Sequence, residues 1–256
     1  MQIKTIYEQP LNERIRAFLR LEHLFKITNY YIKGSSEWDN RAAISNLLNI
    51  VDLLSRSDIK SDLAKELERH ASTLHALTNN PNVDTDRLTI ILENINSILD
   101  ELKKTSYQPG QNIKQDEFIT SIRQRNIIPG GSCNFDLPGY HYWLHKPDEE
   151  RLNDINRWFS DLKLINDGLR LALNMIRNSA NPVTEKAASG FFQKPIESSP
   201  ACQLIRIILP VECKYYPEIS GGKHRFTVRF MEQPFTSARP GQTQEDVEFE
   251  LHCCIL

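Results

Sequence analysis

Residues 224–230 read His224-Arg-Phe-Thr-Val-Arg-Phe230. Every second residue in this segment is apolar, at positions Phe226, Val228 and Phe230. The residues between them are polar and include Arg225 and Arg229. A period of two is typical of a β-strand that buries one face and leaves the other in water. We therefore predict a strand here, with both arginines on its solvent face.

Two further stretches near the C-terminus have strand character. Residues 204–209 are apolar and rich in β-branched side chains, which is typical of a buried strand. Residues 246–251 alternate again, and their polar positions are the acids Asp246, Glu248 and Glu250. Together with residues 224–230 they predict one small antiparallel sheet with a wet face. In that sheet the acids would pair with the arginines, for roughly a few tenths of a kcal/mol per pair, which is a structural explanation of the basic face.

The N-terminus carries one more strand signal. Residues 2–7 are rich in Ile, Thr and Tyr, and Pro10 follows them. Because a strand is not stable without a partner, we expect residues 2–7 to pair with the C-terminal sheet. The helical region would then be an insertion between strands.

The residues between these strands predict helices. Apolar residues recur there at every third or fourth position, as on one face of an amphipathic helix. The predicted N-caps are Asn12, Ser57 or Asp58, Asp84 and Asp116. Residues 148–178 predict a single long helix, with a kink near Ser160 as the alternative, and the prolines and glycine of residues 181–201 predict a loop.

The fold class predicted from these elements is α+β. An N-terminal all-helical domain spans residues 9–195, and a small antiparallel β domain combines residues 1–8 with 196–256. The N-terminal strand returns to the C-terminal sheet.

Composition excludes several classes of function. Lys and Arg number 31 against 33 Asp and Glu, so the net charge of -2 argues against nucleic acid as a partner. No apolar run reaches the roughly 18 residues of a membrane span, and the start does not resemble a signal peptide. The five cysteines are Cys133, Cys202, Cys213, Cys253 and Cys254. Their odd number, without any Cys-x-x-Cys pair, favours reduced thiols in the cytoplasm.

Residues 123–145 hold the residues most suited to chemistry. His141 and His145 are four apart, so on a helix both could contact one metal ion, but no third ligand lies at a matching offset. Cys133 with His141 resembles a nucleophile and base without the usual strand–turn–helix context. We therefore expect no catalytic residue, metal or cofactor. A cytoplasmic enzyme or metal-binding protein that uses Cys133, His141 and His145 stays as the alternative.

Basic residues cluster in two stretches. Arg16, Arg20 and His23 share one face of the first predicted helix, where the simplest interpretation is a solvated face paired with nearby acids. The second stretch is residues 214–229, in which Glu218 is the single acid. Its basic residues are Lys214, Lys223, Arg225 and Arg229. Arginines beside tyrosine and phenylalanine are typical of a surface that binds an acidic peptide.

Short motifs along nearly the whole chain resemble those of the ZapD family of bacterial cell division proteins. In order they are Pro10-Leu-Asn-Glu13, Arg16-Ala-Phe-Leu-Arg20, Arg123-Gln-Arg125, Ile128-Pro-Gly-Gly131, Phe135-Asp-Leu-Pro138, His141 with Trp143-Leu-His145, Gly190-Phe-Phe-Gln193, Tyr216-Pro-Glu-Ile-Ser-Gly221, Arg225-Phe226 with Val228-Arg-Phe230, Phe249-Glu-Leu251 and Cys253-Cys254. So many motifs in the family's order make the resemblance specific.

The resemblance implies a non-enzymatic protein of the mid-cell division ring. Members of the family form homodimers that bind the C-terminal tail of FtsZ, the bacterial tubulin homologue, and bundle its filaments. The family's basic pocket falls here on Arg16, Arg20, Arg123, His141, Arg225 and Arg229, to which the basic run adds Lys223. No membrane and no nucleic acid are expected as partners.

Overall fold

A computed structural model describes residues 3–56, 58–78, 83–196, 201–222 and 224–255. The chain folds into two compact units. One unit is Met1–Arg16 with Leu173–Leu256, and the other is Ala17–Ala172. The predicted domain division, residues 9–195 against 1–8 with 196–256, stays a prediction.

Helices make up most of the first two thirds of the chain. Within the described residues they are α1 (Glu13–Tyr31), α2 (Glu37–Arg56), α3 (Ile59–His75), α4 (Thr85–Lys103), α5 (Gln111–Gln115), α6 (Glu117–Arg125), α7 (Pro138–Leu144), α8 (Asp148–Ser160) and α9 (Lys163–Asn178). Among these helices, none combines the length with the apolar composition that crossing a bilayer requires.

Strands lie at the two ends of the sequence. Within the described residues they are β1 (Lys4–Pro10), β2 (Val183–Ala187), β3 (Phe191–Pro195), β4 (Leu204–Pro210), β5 (Tyr216–Gly221), β6 (Arg225–Glu232), β7 (Gly241–Gln242) and β8 (Val247–Cys254). The order of helices first and antiparallel strands last confirms the predicted α+β class.

The strands form two antiparallel sheets. The first sheet has the order β1-β4-β8-β2, and the second has the order β3-β6-β5 with β7 paired to β6. β1 runs antiparallel to β4, with Thr5 opposite Leu209, so the predicted pairing of the N-terminal stretch is confirmed for residues 4–7. Gln2, the first residue of that stretch, lies outside the described residues. The prediction of a single sheet is wrong, because β6 lies in one sheet and both β4 and β8 lie in the other.

Apolar side chains from both sheets form one core. It contains Ala187, Ile205, Ile207, Leu209, Tyr215, Phe226, Val228, Phe230, Val247, Phe249 and Leu251. The three apolar positions of β6 are among them, so the side of the strand predicted to face inward is confirmed. Each fully buried side chain of this size contributes about 1.5–3 kcal/mol, which makes this core the main source of stability in the unit.

A carboxylate fixes β1 to the rest of its unit. Glu8 lies opposite Arg206 of β4, and its Oε1 accepts from Arg206 Nε at 2.9 Å. Both of its oxygens also accept from Arg177, near the end of α9, at 2.8 Å each. All three side chains are at most one-fifth exposed. The N-terminal strand is therefore held by charge-assisted hydrogen bonds as well as by its ladder.

Local capping follows the sequence. Each predicted cap accepts a hydrogen bond from the backbone amide three residues ahead, at 2.9 Å for Asn12, 3.2 Å for Asp58, 3.0 Å for Asp84 and 3.1 Å for Asp116. These four predictions are confirmed, and Ser57 lies outside the described residues. An aspartate or asparagine at this position satisfies an amide that the helix itself leaves unpaired.

The predicted single helix over residues 148–178 is wrong. α8 ends at Ser160 and α9 begins at Lys163. Between them, the Asp161 carboxylate accepts from the backbone amide of Asn112 at 3.0 Å and from its side-chain amide at 3.2 Å. This tertiary contact breaks the helix, although the apolar period continues through it.

The predicted loop over residues 181–201 is also wrong, because β2 and β3 lie within it. Ser189 and Gly190 join the two strands with φ angles of 47° and 69°. Positive φ at both central residues is the requirement of a two-residue type I′ turn. The turn carries the chain from the first sheet to the second, and the Gly190 carbonyl accepts from the Phe230 amide at 2.8 Å.

Gly190→Ala is expected to lower the free energy of unfolding by more than about 2 kcal/mol. Positive φ costs an L-residue roughly 1–2 kcal/mol. A β-carbon at this position would also lie 2.5 Å from the carbonyl oxygen of Thr243, which is backbone and cannot rotate away. Urea unfolding followed by circular dichroism measures the loss.

Gly241→Ala is the matched control. A β-carbon on Gly241 would meet no described atom within 4 Å. We expect its effect to stay within about 0.5 kcal/mol. Equal losses in the two variants would contradict the role assigned to the turn.

Candidate functional site

The outer face of the second sheet carries the two arginines of β6. Phe226, Val228 and Phe230 point into the core, so Arg225 and Arg229 point away from it and are exposed. We call this surface the arginine face, and it consists of Arg225, Arg229, Phe191, Tyr216 and Glu218. The strand alternation read from the sequence is sufficient to place both guanidinium groups in solvent.

Arg229 has one partner on the arginine face. Its Nη2 lies 3.4 Å from Glu218 Oε2, and Glu218 is its register neighbour on β5. The two side chains are 56% and 48% exposed. An ion pair this exposed contributes about 0–1 kcal/mol, so a carboxylate from outside can replace Glu218 at little cost.

Asp246, just before β8, and Glu250, on β8, have lysines as partners and not these arginines. Asp246 Oδ2 lies 2.9 Å from Lys186 Nζ, and Glu250 Oε2 lies 2.8 Å from Lys4 Nζ. These contacts belong to the first sheet, whereas the arginines lie in the second. The structural explanation predicted from the sequence, cross-strand pairing of the arginines with residues 246–250, is therefore wrong.

Aromatic side chains flank the arginines. Phe191 of β3 is the register neighbour of Arg229 and is 43% exposed. Tyr216 lies on β5, on the other side of β6, two residues before Glu218. An aromatic ring beside a guanidinium offers apolar contact to a peptide whose carboxylate binds the arginine.

Arg16 lies in the same unit as the arginine face. Its Nη1 is 2.6 Å from Glu13 Oε1, an ion pair of the kind expected for a solvated helix face. The chain leading into α1 packs against β5, because a β-carbon on Gly221 would lie only 2.3 Å from Leu11 Cδ2. The start of α1 is thus held beside the end of β5, one strand away from Arg225.

Arg20 and Arg123 meet in the other unit. A cavity of about 360 Å³ is lined by Arg20, His23, Leu24, Asn49, Asp52, Leu53 and Arg56, and we call it the α1–α2 pocket. Arg123 joins it through Asp52, with 2.7 Å between Nη2 and Oδ1. Sequence reasoning missed Arg56, whose only signal is its place in the last turn of α2.

The remaining predicted residues are not brought into either cluster by described contacts. His141 lies on α7, where its ring centroid is 4.4 Å from that of His145. His145 Nδ1 is 2.8 Å from the His141 carbonyl oxygen. Lys223 lies outside the described residues.

The geometry around Cys133 does not favour the enzyme alternative. The Cys133 thiol donates to Asp136 Oδ2 at 3.3 Å, so its partner is an acid and not a histidine base. Within the described ranges, no group of three or more His, Cys, Asp or Glu side chains is placed to hold a metal ion. His141 on α7 and His145 directly after it therefore have no third described ligand.

The chain is similar to known proteins over nearly all of its length. Residues 19–229 match the family model ZapD, described as Cell division protein. The Cell division protein ZapD of Methylococcus capsulatus is 42% identical over 256 residues, 100% of both chains. The protein of that name from Coxiella burnetii is 35% identical over 249 residues, 97% of this chain and 96% of its own. That of Janthinobacterium sp. (strain Marseille) is 37% identical over 249 residues, 97% and 98% of the two chains.

Arg229→Ala is expected to change the free energy of unfolding by less than about 0.5 kcal/mol, because its ion pair is exposed. Arg206→Ala, in the same unit, is expected to cost about 3 kcal/mol or more, because it leaves the Glu8 carboxylate short of a partner in a mostly buried site. Urea unfolding of both variants measures the difference. A large loss in Arg229→Ala would make Arg229 a structural residue and remove it from the candidate site.

Proposed function

The chain belongs to the ZapD family of cell division proteins, and on that premise we propose that it binds the C-terminal tail of FtsZ through the arginine face. Acting as a homodimer, it cross-links FtsZ filaments and stabilises the division ring at mid-cell. It does so without catalysing a reaction. Its role in cell division follows from the family, and the tail, the dimer and the bundling are the proposal.

The observation that carries the proposal is the exposure of Arg225 and Arg229 on the face of β6 opposite the core. Asp246 and Glu250 are paired with lysines of the first sheet, so they do not neutralise these two guanidinium groups. A guanidinium can bind a carboxylate through two parallel hydrogen bonds, which fixes orientation as well as charge. A tail that presents carboxylates therefore finds two such positions four residues apart on one strand.

Apolar contact accompanies the charge pairing. Phe191 and Tyr216 lie on the strands to either side of β6, so a peptide lying across the arginine face would cover part of both rings. Burial of apolar area contributes about 25 cal/mol per Å² and, unlike charge pairing, is not screened by salt. The proposed binding mode thus combines a salt-sensitive and a salt-insensitive contribution.

The α1–α2 pocket is a second basic surface for the same class of ligand. Arg20, His23 and Arg56 line it, and Arg123 adjoins it. Asp52 neutralises part of this charge, which makes the pocket less basic than its arginines alone suggest. We assign it a supporting role in tail binding.

Bivalency explains how weak contacts can bundle filaments. A dimer offers two sites and a filament offers many tails, so binding of the second site becomes intramolecular. The overall affinity is then about 10²–10⁴-fold higher than that of a single contact, when the geometry allows both sites to engage. A single site of modest affinity is therefore sufficient for cross-linking.

Arg225→Glu and Arg229→Glu are each expected to weaken binding of a labelled FtsZ tail peptide roughly tenfold, about 1.4 kcal/mol, because each replaces an attractive charge by a repulsive one. Fluorescence anisotropy of the peptide gives the dissociation constants. Arg20→Glu tests the α1–α2 pocket in the same titration, where a smaller loss is expected.

Charge-matched controls separate a site effect from a change in net charge. Arg239→Glu changes an exposed residue between β6 and β7, and Arg87→Glu changes an exposed residue of α4. Both should bind the peptide as the unchanged protein does. Binding that survives in Arg225→Glu and Arg229→Glu, or that falls equally in the two controls, would refute the arginine face as the tail site.

Salt should weaken bundling more steeply than it weakens binding of one tail. Exposed charge pairs are screened over about 8–10 Å at 0.1–0.15 M salt, so tail affinity should fall, but the apolar contact keeps it from vanishing. Bundling needs two engaged sites, so a loss of affinity at each site reduces bundling twice. Peptide anisotropy and light scattering of filaments in the same buffers measure the two slopes. Salt-independent peptide binding, or bundling by a monomeric form, would contradict the mechanism.

A further inference from the structure

Two cysteines meet at the end of the first sheet. Cys253 lies on β8 opposite Ile205 of β4, and Cys202 lies in the segment that leads into β4. The amide of Gln203 donates to the Cys254 carbonyl at 2.8 Å, which holds this segment beside the end of β8. Hydrogen bonding with Cys253 is the largest cause that raises the pKa of Cys202, and the Cys202 thiol also donates to the Leu204 carbonyl oxygen at 3.6 Å.

Both cysteines line a cavity of about 240 Å³. Its other lining residues are Asn181, Val183, Lys194, Pro195, Ile196, Phe226, Leu251 and Ile255. Of these residues Phe226 and Leu251 are buried, Val183 and Ile255 are 48% and 37% exposed, and the two cysteines are themselves partly exposed. A small molecule can therefore reach the two thiols from solvent.

The charges around the pair favour an ionised Cys253. The hydrogen bond from Cys202 lowers the pKa of Cys253, Lys194 lowers it further, and burial and Glu185 oppose them. Lys194 Nζ lies 2.9 Å from Glu185 Oε1, so its cation is held beside the cavity. The same hydrogen bond, with burial, raises the pKa of Cys202, so the shared proton stays on Cys202.

We propose that this cavity is a thiol modification site at which a hydroperoxide oxidises Cys253 and Cys202 then closes a reversible disulfide. The proposal rests on the two cysteines at the end of the first sheet and does not depend on the function proposed above. Its substrate class is a small hydroperoxide that fits the apolar cavity.

The chemistry balances in two steps. The Cys253 thiolate attacks the terminal oxygen of the hydroperoxide, the O–O bond breaks, and the alkoxide takes a proton from water, leaving a sulfenic acid and an alcohol. Loss of the negative charge on Cys253 removes the main cause that keeps the proton on Cys202. The Cys202 sulfur then attacks the Cys253 sulfur, an S–S bond forms, and the hydroxyl leaves as water with the proton of Cys202. The two cysteines have together supplied the two electrons that reduce one hydroperoxide to an alcohol and water.

The neighbouring cysteine provides an internal comparison. Cys254 follows Cys253 directly but points to the other side of the sheet, where it is fully buried. Burial raises the pKa of Cys254 to about 12. A thiol that is buried and protonated reacts slowly, so the two adjacent residues should differ in rate by more than about tenfold.

Two substitutions of Cys202 separate its two roles. Cys202→Ser keeps a hydrogen-bond donor but has no sulfur, so it should trap the sulfenic acid of Cys253, which a 1,3-dione labels. Cys202→Ala also removes the donor and should therefore slow alkylation of Cys253 by iodoacetamide at pH 7 several-fold relative to Cys202→Ser. At a pH above the pKa of Cys253 in both variants the two rates should converge.

The experiment treats the full chain with tert-butyl hydroperoxide and maps its cysteines by tandem mass spectrometry without reduction. The expected product is a Cys202–Cys253 disulfide that dithiothreitol reverses. Cys133→Ser changes a thiol that is hydrogen-bonded to Asp136 and should give the same product. Cys253→Ser should give no disulfide. The proposal is overturned by a disulfide between other cysteines, by equal labelling of Cys253 and Cys254, or by no dione adduct in Cys202→Ser. Melting temperatures of the variants show that each is folded.

Discussion

The pairing of β1 with β4 is the constraint on which the β unit depends, and the Glu8 carboxylate fixes it. Glu8 binds Arg206 across the ladder and Arg177 near the end of α9. Removing three charged groups from water is costly, so the gain is specificity of register more than net stability. A slip of one residue would turn every side chain of β1 to the wrong face and separate Glu8 from both arginines.

The two-sheet arrangement that follows determines which charges are available. Because β8 belongs to the first sheet, Glu250 on β8 and Asp246 just before it pair with Lys4 and Lys186 of the same sheet. The second sheet buries its apolar face against the shared core and leaves its polar face outward. The basic character of β6 is thus preserved although the chain as a whole has a net charge of -2.

Local signals predicted much of this structure, and long-range contacts decided the rest. The caps, the inward face of β6 and the need of β1 for a partner could be read because each depends on a few neighbouring residues. The break at Asp161 depends on Asn112, and the meeting of Arg123 with Asp52 depends on how helices pack, so neither has a sequence pattern. The sequence does not reveal β2 and β3, because Gly190, which serves the tight turn between them, and Pro182 and Pro195, which lie at their outer ends, are also typical of a loop.

At the proposed tail site, a carboxylate of the tail must displace Glu218 from Arg229. Glu218 already occupies Arg229, so a peptide carboxylate that binds there replaces one exposed ion pair by another. Such an exchange changes the free energy by about 0–1 kcal/mol, which means that Arg229 contributes selectivity for acids more than affinity. The affinity must then come from Arg225 and from apolar contact with Phe191 and Tyr216. A modest affinity at each site is what reversible cross-linking requires, since bivalent binding supplies strength and single contacts can still release.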